Sequence, residues 1–427
     1  MDLVVHDYSG HPFQVQLSRG LARRGDTVTH QYCASFTTGQ GALGPTPTDP
    51  PSLTIEPLSL GRPFARYSPA RRLRQELAYG WLAIRAVTAR RPDVALVANM
   101  PLFSLGILAT GLRRRRIPYV LWQQDLYSAA IADELHRRLG APGALLAQVA
   151  TRLERRVARW SQAVVAISPA FTETLDIWGV PPERIAVIPN WAPVGELTVD
   201  GRDPHWVGRP VPDDRPLVLY AGTLGLKHDP SLLATAAEGL DDLAHVVVVS
   251  EGRGREWLHR AREERGLTNL HLLDFQPYAD LPAMLGAADV LLAILEPEAS
   301  RYSVPSKVLS YLCAGRPVVA VLPEDNPAAQ LLTQAGAGVV VAPGDRATLV
   351  EVLRRLLADP IERARLGHNG RRHAEEAFRL DPILDRFRRV LSDAVHDAHQ
   401  LPGRDPRTRR LGRTPRHRCA PTRAAGE

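Results

Sequence analysis

Among the 53 lysine and arginine residues of this chain only two, Lys227 and Lys307, are lysines. A coding bias toward arginine accounts for the scarcity but not for where the two survivors stand. Lysine offers a compact point charge that the planar fork of arginine does not reproduce. Lys227 closes the run Leu217-Val218-Leu219-Tyr220-Ala221-Gly222-Thr223-Leu224-Gly225-Leu226-Lys227, an apolar strand followed by a glycine loop and a cation. That order puts positive charge at the carboxyl end of a parallel strand, where α/β sheets bind their ligands; the alternative is an exposed loop lysine. Lys307 lies in Val304-Pro305-Ser306-Lys307-Val308-Leu309-Ser310-Tyr311-Leu312-Cys313-Ala314-Gly315-Arg316-Pro317. Here Pro305 suits the first residue of a helix and Gly315 its end. A cation at a helix N-terminus opposes the dipole, and a diphosphate bound by the free N–H groups around Ser306 and by Lys307 would explain its presence.

Other segments offer weaker candidates. Asp7-Tyr8-Ser9-Gly10-His11-Pro12-Phe13 reads as strand, small-residue turn and helix start. Such a turn presents free N–H groups to an anion at Gly10 and His11, or it is a plain turn. Asp125 follows the strand-like run Tyr119–Trp122 at the sheet's ligand edge, where a carboxylate either orients a hydroxyl or serves as a cap. No Asp-x-Asp occurs, so no metal site and no cofactor are expected; lysines and helix ends would carry the charge stabilisation instead.

These residues need a scaffold, and short valine- and isoleucine-rich runs supply it. Leu3–Val5, Val28–Tyr32, Val94–Ala98, Tyr119–Trp122, Val164–Ile167 and Ile185–Ile188 alternate with helix-compatible stretches. The rhythm restarts at Leu217–Tyr220 and runs through His245–Val249, Leu270–Leu273, Val290–Leu295, Val318–Val321 and Gly338–Val341. Parallel α/β sheets read this way. Helices are expected at Gln14–Arg24, Arg71–Arg90, Leu145–Ser161, Ala347–Ala358 and Pro382–Ala398, with a loop from Gly39 to Pro51. At 427 residues the chain exceeds what one core usually supports. The division predicted is residues 1–190, a linker over 191–215 rich in proline, glycine and charge, a second sheet domain over 216–378, a helix over 379–400 crossing back, and a basic disordered tail over 401–427.

Composition narrows the class of protein. The chain is 44% hydrophobic and 23% charged, ordinary for a soluble protein, and no apolar run reaches the roughly 18 residues that span a bilayer. Its opening lacks the form of a signal peptide, so cytoplasmic residence is the expectation. Cys33, Cys313 and Cys419 form neither a pair nor zinc spacing. The net charge of +7 is concentrated in the arginines of the tail, which carries no interleaved aromatics, and nucleic acid is not an expected partner.

At these motifs the sequence resembles the retaining glycosyltransferases of family 4, the group 1 type, from about Asp2 to Leu391. The segments that carry the likeness are Gln14 to Gly25, Val164 to Ser168, Val187-Ile188-Pro189-Asn190, Pro305-Ser306-Lys307 and Ala314-Gly315-Arg316-Pro317-Val318. The resemblance implies the GT-B architecture, two Rossmann-like α/β domains facing each other across a cleft, and transfer of a hexosyl group from a nucleotide diphosphate sugar to a glycan or lipid-linked acceptor. It implies phosphate contacts from Gly222, Thr223 and Lys227 and from Ser306 and Lys307, base and ribose contacts near Phe275 and Pro305, approach of Gly10 to the diphosphate, and Trp122 to Asp125 facing the sugar and acceptor. Lys227 would dominate stabilisation of charge in a front-face mechanism. The chain departs from the family pattern at several points. The Glu-x7-Glu pair falls on Tyr302 and Ser310, a usual arginine is Thr223, and a usual histidine is Gln124; Glu298 either supplies a replacement carboxylate or is an exposed loop acid. A bacterial setting in cell-surface polysaccharide or glycolipid assembly follows from the likeness. Tyr67 to Arg90, with Arg113–Arg116, reads either as a membrane-surface helix on the inner face of the cytoplasmic membrane or as a domain helix with a solvated face. The rival readings are a nucleotide-sugar epimerase of the same fold and a non-catalytic binding protein.

Overall fold

A computed structural model describes residues 1–36, 40–65, 68–197, 211, 214–225, 228–297 and 305–400. The first half carries β1 (Asp2–Asp7), β2 (Thr27–Cys33), β3 (Leu53–Leu58), β4 (Val94–Ala98), β5 (Tyr119–Gln123), β6 (Ala163–Ala166) and β7 (Ile185–Val187). They form one parallel sheet in the order β3-β2-β1-β4-β5-β6-β7. Its helices are α1 (Pro12–Arg23), α2 (Pro69–Arg90), α3 (Leu102–Arg114), α4 (Tyr127–Leu139), α5 (Ala141–Trp160) and α6 (Ala170–Ile177). The second half carries β8 (Leu217–Ala221), β9 (His245–Val249), β10 (Leu270–Leu273), β11 (Val290–Ile294), β12 (Val318–Val321) and β13 (Gly338–Val341), in the order β10-β9-β8-β11-β12-β13, again parallel. Around them lie α7 (Ser231–Gly239), α8 (Arg253–Arg265), α9 (Leu281–Ala287), α10 (Lys307–Cys313), α11 (Pro327–Ala335), α12 (Arg346–Ala358), α13 (Pro360–Ala377) and α14 (Leu380–Gln400).

The strands form because both faces of each sheet are covered by helices, which demands near-continuous apolar runs: every residue of β4, β5, β9 and β11 is buried. In both sheets the order reverses beside the first strand, β1 against β4 and β8 against β11, and a crevice opens above the carboxyl ends at that switch. The expected strands are present. β3 is not among the expected strands, because Leu53-Thr54-Ile55-Glu56-Pro57-Leu58 is a half-exposed edge strand whose proline and glutamate hide its pattern.

The linker is less solvated than its composition suggests. Trp191, Ala192 and Leu197 are buried, and the Trp191 indole stacks on Trp122 at 5.8 Å between centroids. Phe13 of α1 and Phe387 of α14 meet both rings edge-on. α14 packs on α1, β4 and β5, where Leu384 fills the space left by Gly20, and Arg24 pairs with Asp381 and Asp385. The last described helix thus completes the core of the first domain.

Candidate functional site

The two crevices face each other and enclose a cavity of about 650 Å³. On the second-domain wall the geometry starts from helix spacing. Lys307 and Tyr311 are four residues apart and share one face of α10. Tyr311 clasps the end of β8, its hydroxyl accepting from the Ala221 N–H at 2.9 Å and donating to the Ala221 carbonyl at 3.1 Å. That clasp brings the Lys307 ammonium beneath Gly222. A Cβ built on Gly222 would lie 2.9 Å from Lys307 Nζ, and its φ of 141° favours glycine. Tyr220 supports the loop from below, donating its hydroxyl to the Thr223 carbonyl at 3.1 Å.

Lys307 Nζ is fully covered, although the rest of the side chain keeps partial exposure, and it has no hydrogen-bond partner among the described residues. It rests 3.7 Å from the centroid of the Tyr220 ring, whose π face attracts a cation. Burial lowers its pKa to about 7. This qualifies the expectation drawn from the dipole: the helix begins at Lys307, two residues after Pro305, and an aromatic face already receives part of the opposed charge.

The first-domain wall is built by buried amides and a carboxylate. Asp7, at the end of β1, accepts from the Ser9 N–H at 3.0 Å and the His11 N–H at 2.6 Å, which shapes the turn into α1. Burial raises its carboxyl above the usual range. Asn99, left-handed at φ 57°, donates to Asp7 and to Gln14 from the end of β4. Gln124 and Asn190 exchange amide hydrogen bonds at 3.1 and 2.6 Å across the ends of β5 and β7. Glu154, buried in α5, accepts from the Tyr127 and Ser128 N–H groups and so caps α4, fixing the loop that carries Asp125.

The cavity thus brings together His11, Asp125, Gly222, Thr223, Phe275, Pro305, Ser306 and Lys307 from opposite walls. Ser310, where the family pattern has a glutamate, lines it as well. Gly10 does not line it: its φ of 72° and the contact its Cβ would make with Leu43 show that it serves the packing of the following loop, while His11 reaches the cavity, stacked on Phe13. Lys227, Glu298 and Tyr302 lie outside the described residues, as do the tail and most of residues 198–213. Asn99, Asn190, Gln40 and His228 line the cavity without having been singled out. Among the described lining residues Asp125 is the sole carboxylate. The described residues hold no group of three or more side chains able to take a metal. No helix among them is long and apolar enough to cross a membrane.

Two parallel-sheet domains with a cavity between their switch points define the GT-B class. Residues 11–191 match the family described as "Glycosyl transferase 4-like domain" and residues 207–373 the family "Glycosyl transferases group 1". The chain belongs to the group 1 glycosyltransferases of the GT-B fold. It is 28% identical over 252 residues to WcaI of Escherichia coli (strain K12), a glycosyl transferase named for colanic acid biosynthesis; the match covers 57% of this chain and 60% of that protein. In fold it is similar to sucrose-phosphate synthase from Thermosynechococcus elongatus, with a TM-score of 0.68 at 17% identity over 92% of this chain and 99% of the other. It is also similar to Anabaena HepE solved with UDP and glucose, at TM-score 0.66, 18% identity and the same two coverages.

Proposed function

We propose that this protein moves a glycosyl group from a nucleoside diphosphate sugar to a glycan or lipid-linked acceptor in the assembly of a bacterial cell-surface polysaccharide or glycolipid. The observation that carries the reading is the convergence, on one wall of the interdomain cavity, of the Gly222–Thr223 loop, Ser306 and the covered ammonium of Lys307, opposite the amides and carboxylate of the first domain. WcaI is named for polysaccharide biosynthesis and HepE was solved with UDP, and both support the direction of the proposal.

In this mechanism the acceptor oxygen attacks the anomeric carbon, the bond from that carbon to the β-phosphate oxygen breaks, and the acceptor proton passes to the departing diphosphate on the same face. Configuration is retained. Lys307, together with Lys227, neutralises charge on the leaving diphosphate, so that no divalent metal is required. Phe275 and Pro305 border the base and ribose, and Gln124, Asn190 and Asp125 orient sugar and acceptor hydroxyls. Glu298 is assigned to a sugar hydroxyl in place of the family's missing carboxylates. The enzyme works at the cytoplasmic side of the membrane.

A thermal-shift screen of nucleotides and nucleotide sugars tests the donor, because a ligand that binds only the folded state raises its melting temperature. NMR of the product anomer in the presence of a chelator then tests retention and metal independence. Lys227→Ala is expected to abolish transfer without unfolding. A protein that binds no nucleoside diphosphate, or that transfers fully without Lys227, rejects the scheme.

A further inference from the structure

Among the described residues eight large apolar side chains are exposed, and six of them lie on just two helices: Leu73, Leu77 and Trp81 on α2, and Leu145, Leu146 and Val149 on α5. Both helices pack on α3, which lies between them. Gly80 of α2 abuts Ser104 and Ile107, Gly111 of α3 makes room for Ile84, and Gly106 of α3 makes room for Leu153 of α5. These contacts bring the N-terminal halves of α2 and α5 to the same end of the layer, on either side of the start of α3. Helices of parallel βα units run opposite to their strands, so that end is the carboxyl edge of the sheet, where the cavity opens.

The exposed charges on these helices are of one sign. Arg71 and Arg74 on α2 and Arg152 on α5 are exposed beside the apolar side chains. No aspartate or glutamate is exposed on α2, α3 or α5: Glu76 is paired with Arg72, and Glu154 is turned inward onto α4. Arg113–Arg116, grouped with this patch on sequence grounds, stand at the opposite end of α3, about 18 Å away by helix rise, where Arg113 covers the Trp160 ring. Exposed leucines and a tryptophan flanked by several arginines, with Asp133 of the neighbouring α4 as an exposed acid beside them, match a bilayer carrying anionic headgroups: the apolar chains enter the acyl boundary and the guanidinium groups stay with the phosphates.

We infer that the N-terminal halves of α2 and α5 form a docking surface for an anionic lipid bilayer, holding the mouth of the interdomain cavity against the membrane. This deepens the proposed function, since it gives a lipid-linked acceptor a short path to Asp125, but the docking itself needs neither nucleotide nor turnover.

The test is flotation of the full chain with phosphatidylcholine vesicles, with and without phosphatidylglycerol, in the absence of any substrate. Binding is expected only with phosphatidylglycerol and is expected to weaken as salt rises. Leu77→Gln with Leu146→Gln should reduce it roughly tenfold or more, as should Arg71→Gln with Arg74→Gln and Arg152→Gln. Ile361→Gln, at a still more exposed apolar site on α13, should leave it unchanged. Brominated phosphatidylglycerol should quench part of the tryptophan fluorescence, and Trp81→Phe should remove that part while preserving binding. The inference is overturned if wild type ignores phosphatidylglycerol, or if the paired leucine variant binds as wild type does, which would assign binding to the basic tail. It is also overturned if the same variants split a dimer in solution, which would make the face a contact between two copies. Vesicle binding with no transfer activity would leave docking standing and reject only the catalytic reading.

Discussion

Replacing Lys307 by methionine should make the empty protein more stable and the nucleotide bind worse, and the two effects come from one cause. The ammonium is covered by Gly222 and Tyr220, and its pKa falls from 10.5 to about 7. At about 1.4 kcal/mol per unit, holding the charged form in the fold costs at most about 5 kcal/mol, reduced by the Tyr220 ring and by relaxation. The folded pKa lies below the unfolded one, so between pH 7 and 10.5 the unfolded chain binds more protons and stability rises with pH. Lys307→Met should flatten that rise and lift the urea midpoint at pH 7. A diphosphate beside Nζ pulls the pKa back up, so binding above pH 7 should take up a proton, and affinity should fall by up to about tenfold per pH unit. Loss of a hydrogen bond between charged groups costs roughly 1.5–3 kcal/mol, about tenfold to a hundredfold in Kd at pH 6.5. Titration calorimetry of UDP or GDP in two buffers of different ionisation enthalpy measures both quantities. Proton-neutral binding at pH 8 with unchanged affinity in the methionine variant would refute the argument.

Three further expectations follow from other parts of the site. Asp125→Asn should lower kcat about a hundredfold or more while leaving nucleotide affinity intact, and steady-state kinetics beside direct binding separates the two. Gly222→Ala forces a side chain toward Lys307 Nζ at a φ of 141°; it should cost roughly 1–3 kcal/mol in chemical denaturation and weaken UDP or GDP binding. His6 and His30 are buried, with burial lowering their pKa values to about 4 and about 3. Their neutral forms suit the fold, so stability should fall as pH drops from 6.5 through 4, and urea midpoints should recover at low pH when His30 is replaced by asparagine.

The alternating sheets were legible because strands buried on both faces must be continuous apolar runs, and Val94–Ala98 or His245–Val249 admit no other reading. Gly222, Thr223, Ser306 and Lys307 were legible because parallel topology puts whatever follows such a strand at the ligand edge. The pairings that escaped join distant positions. Gln124 meets Asn190 across 66 residues, Asn99 meets Asp7 across 92, and Glu154 caps a helix that begins 27 residues before it. Trp191 was grouped with the linker because the stretch that follows it is rich in proline, glycine and charge, whereas its neighbours in space, Trp122 and Phe387, are aromatic. Gly10 failed the opposite way: its glycine character is real, but a loop that folds back onto it, through the Gly41 N–H bonded to its carbonyl, claims the space.

The position of α14 has a consequence for how the chain is made. Phe387 packs edge-on against both Trp122 and Trp191, and Leu384 fills the gap at Gly20, so the first domain lacks part of its interior until residues near 390 have left the ribosome. The second domain needs no such late arrival: the helices that pack on its sheet, up to α13, are complete before α14 is synthesised. Although translation starts at the other end, the half of the molecule begun first is therefore the one finished last, and a nascent chain halted before Leu384 would expose the two stacked indoles to whatever chaperones attend the tunnel exit.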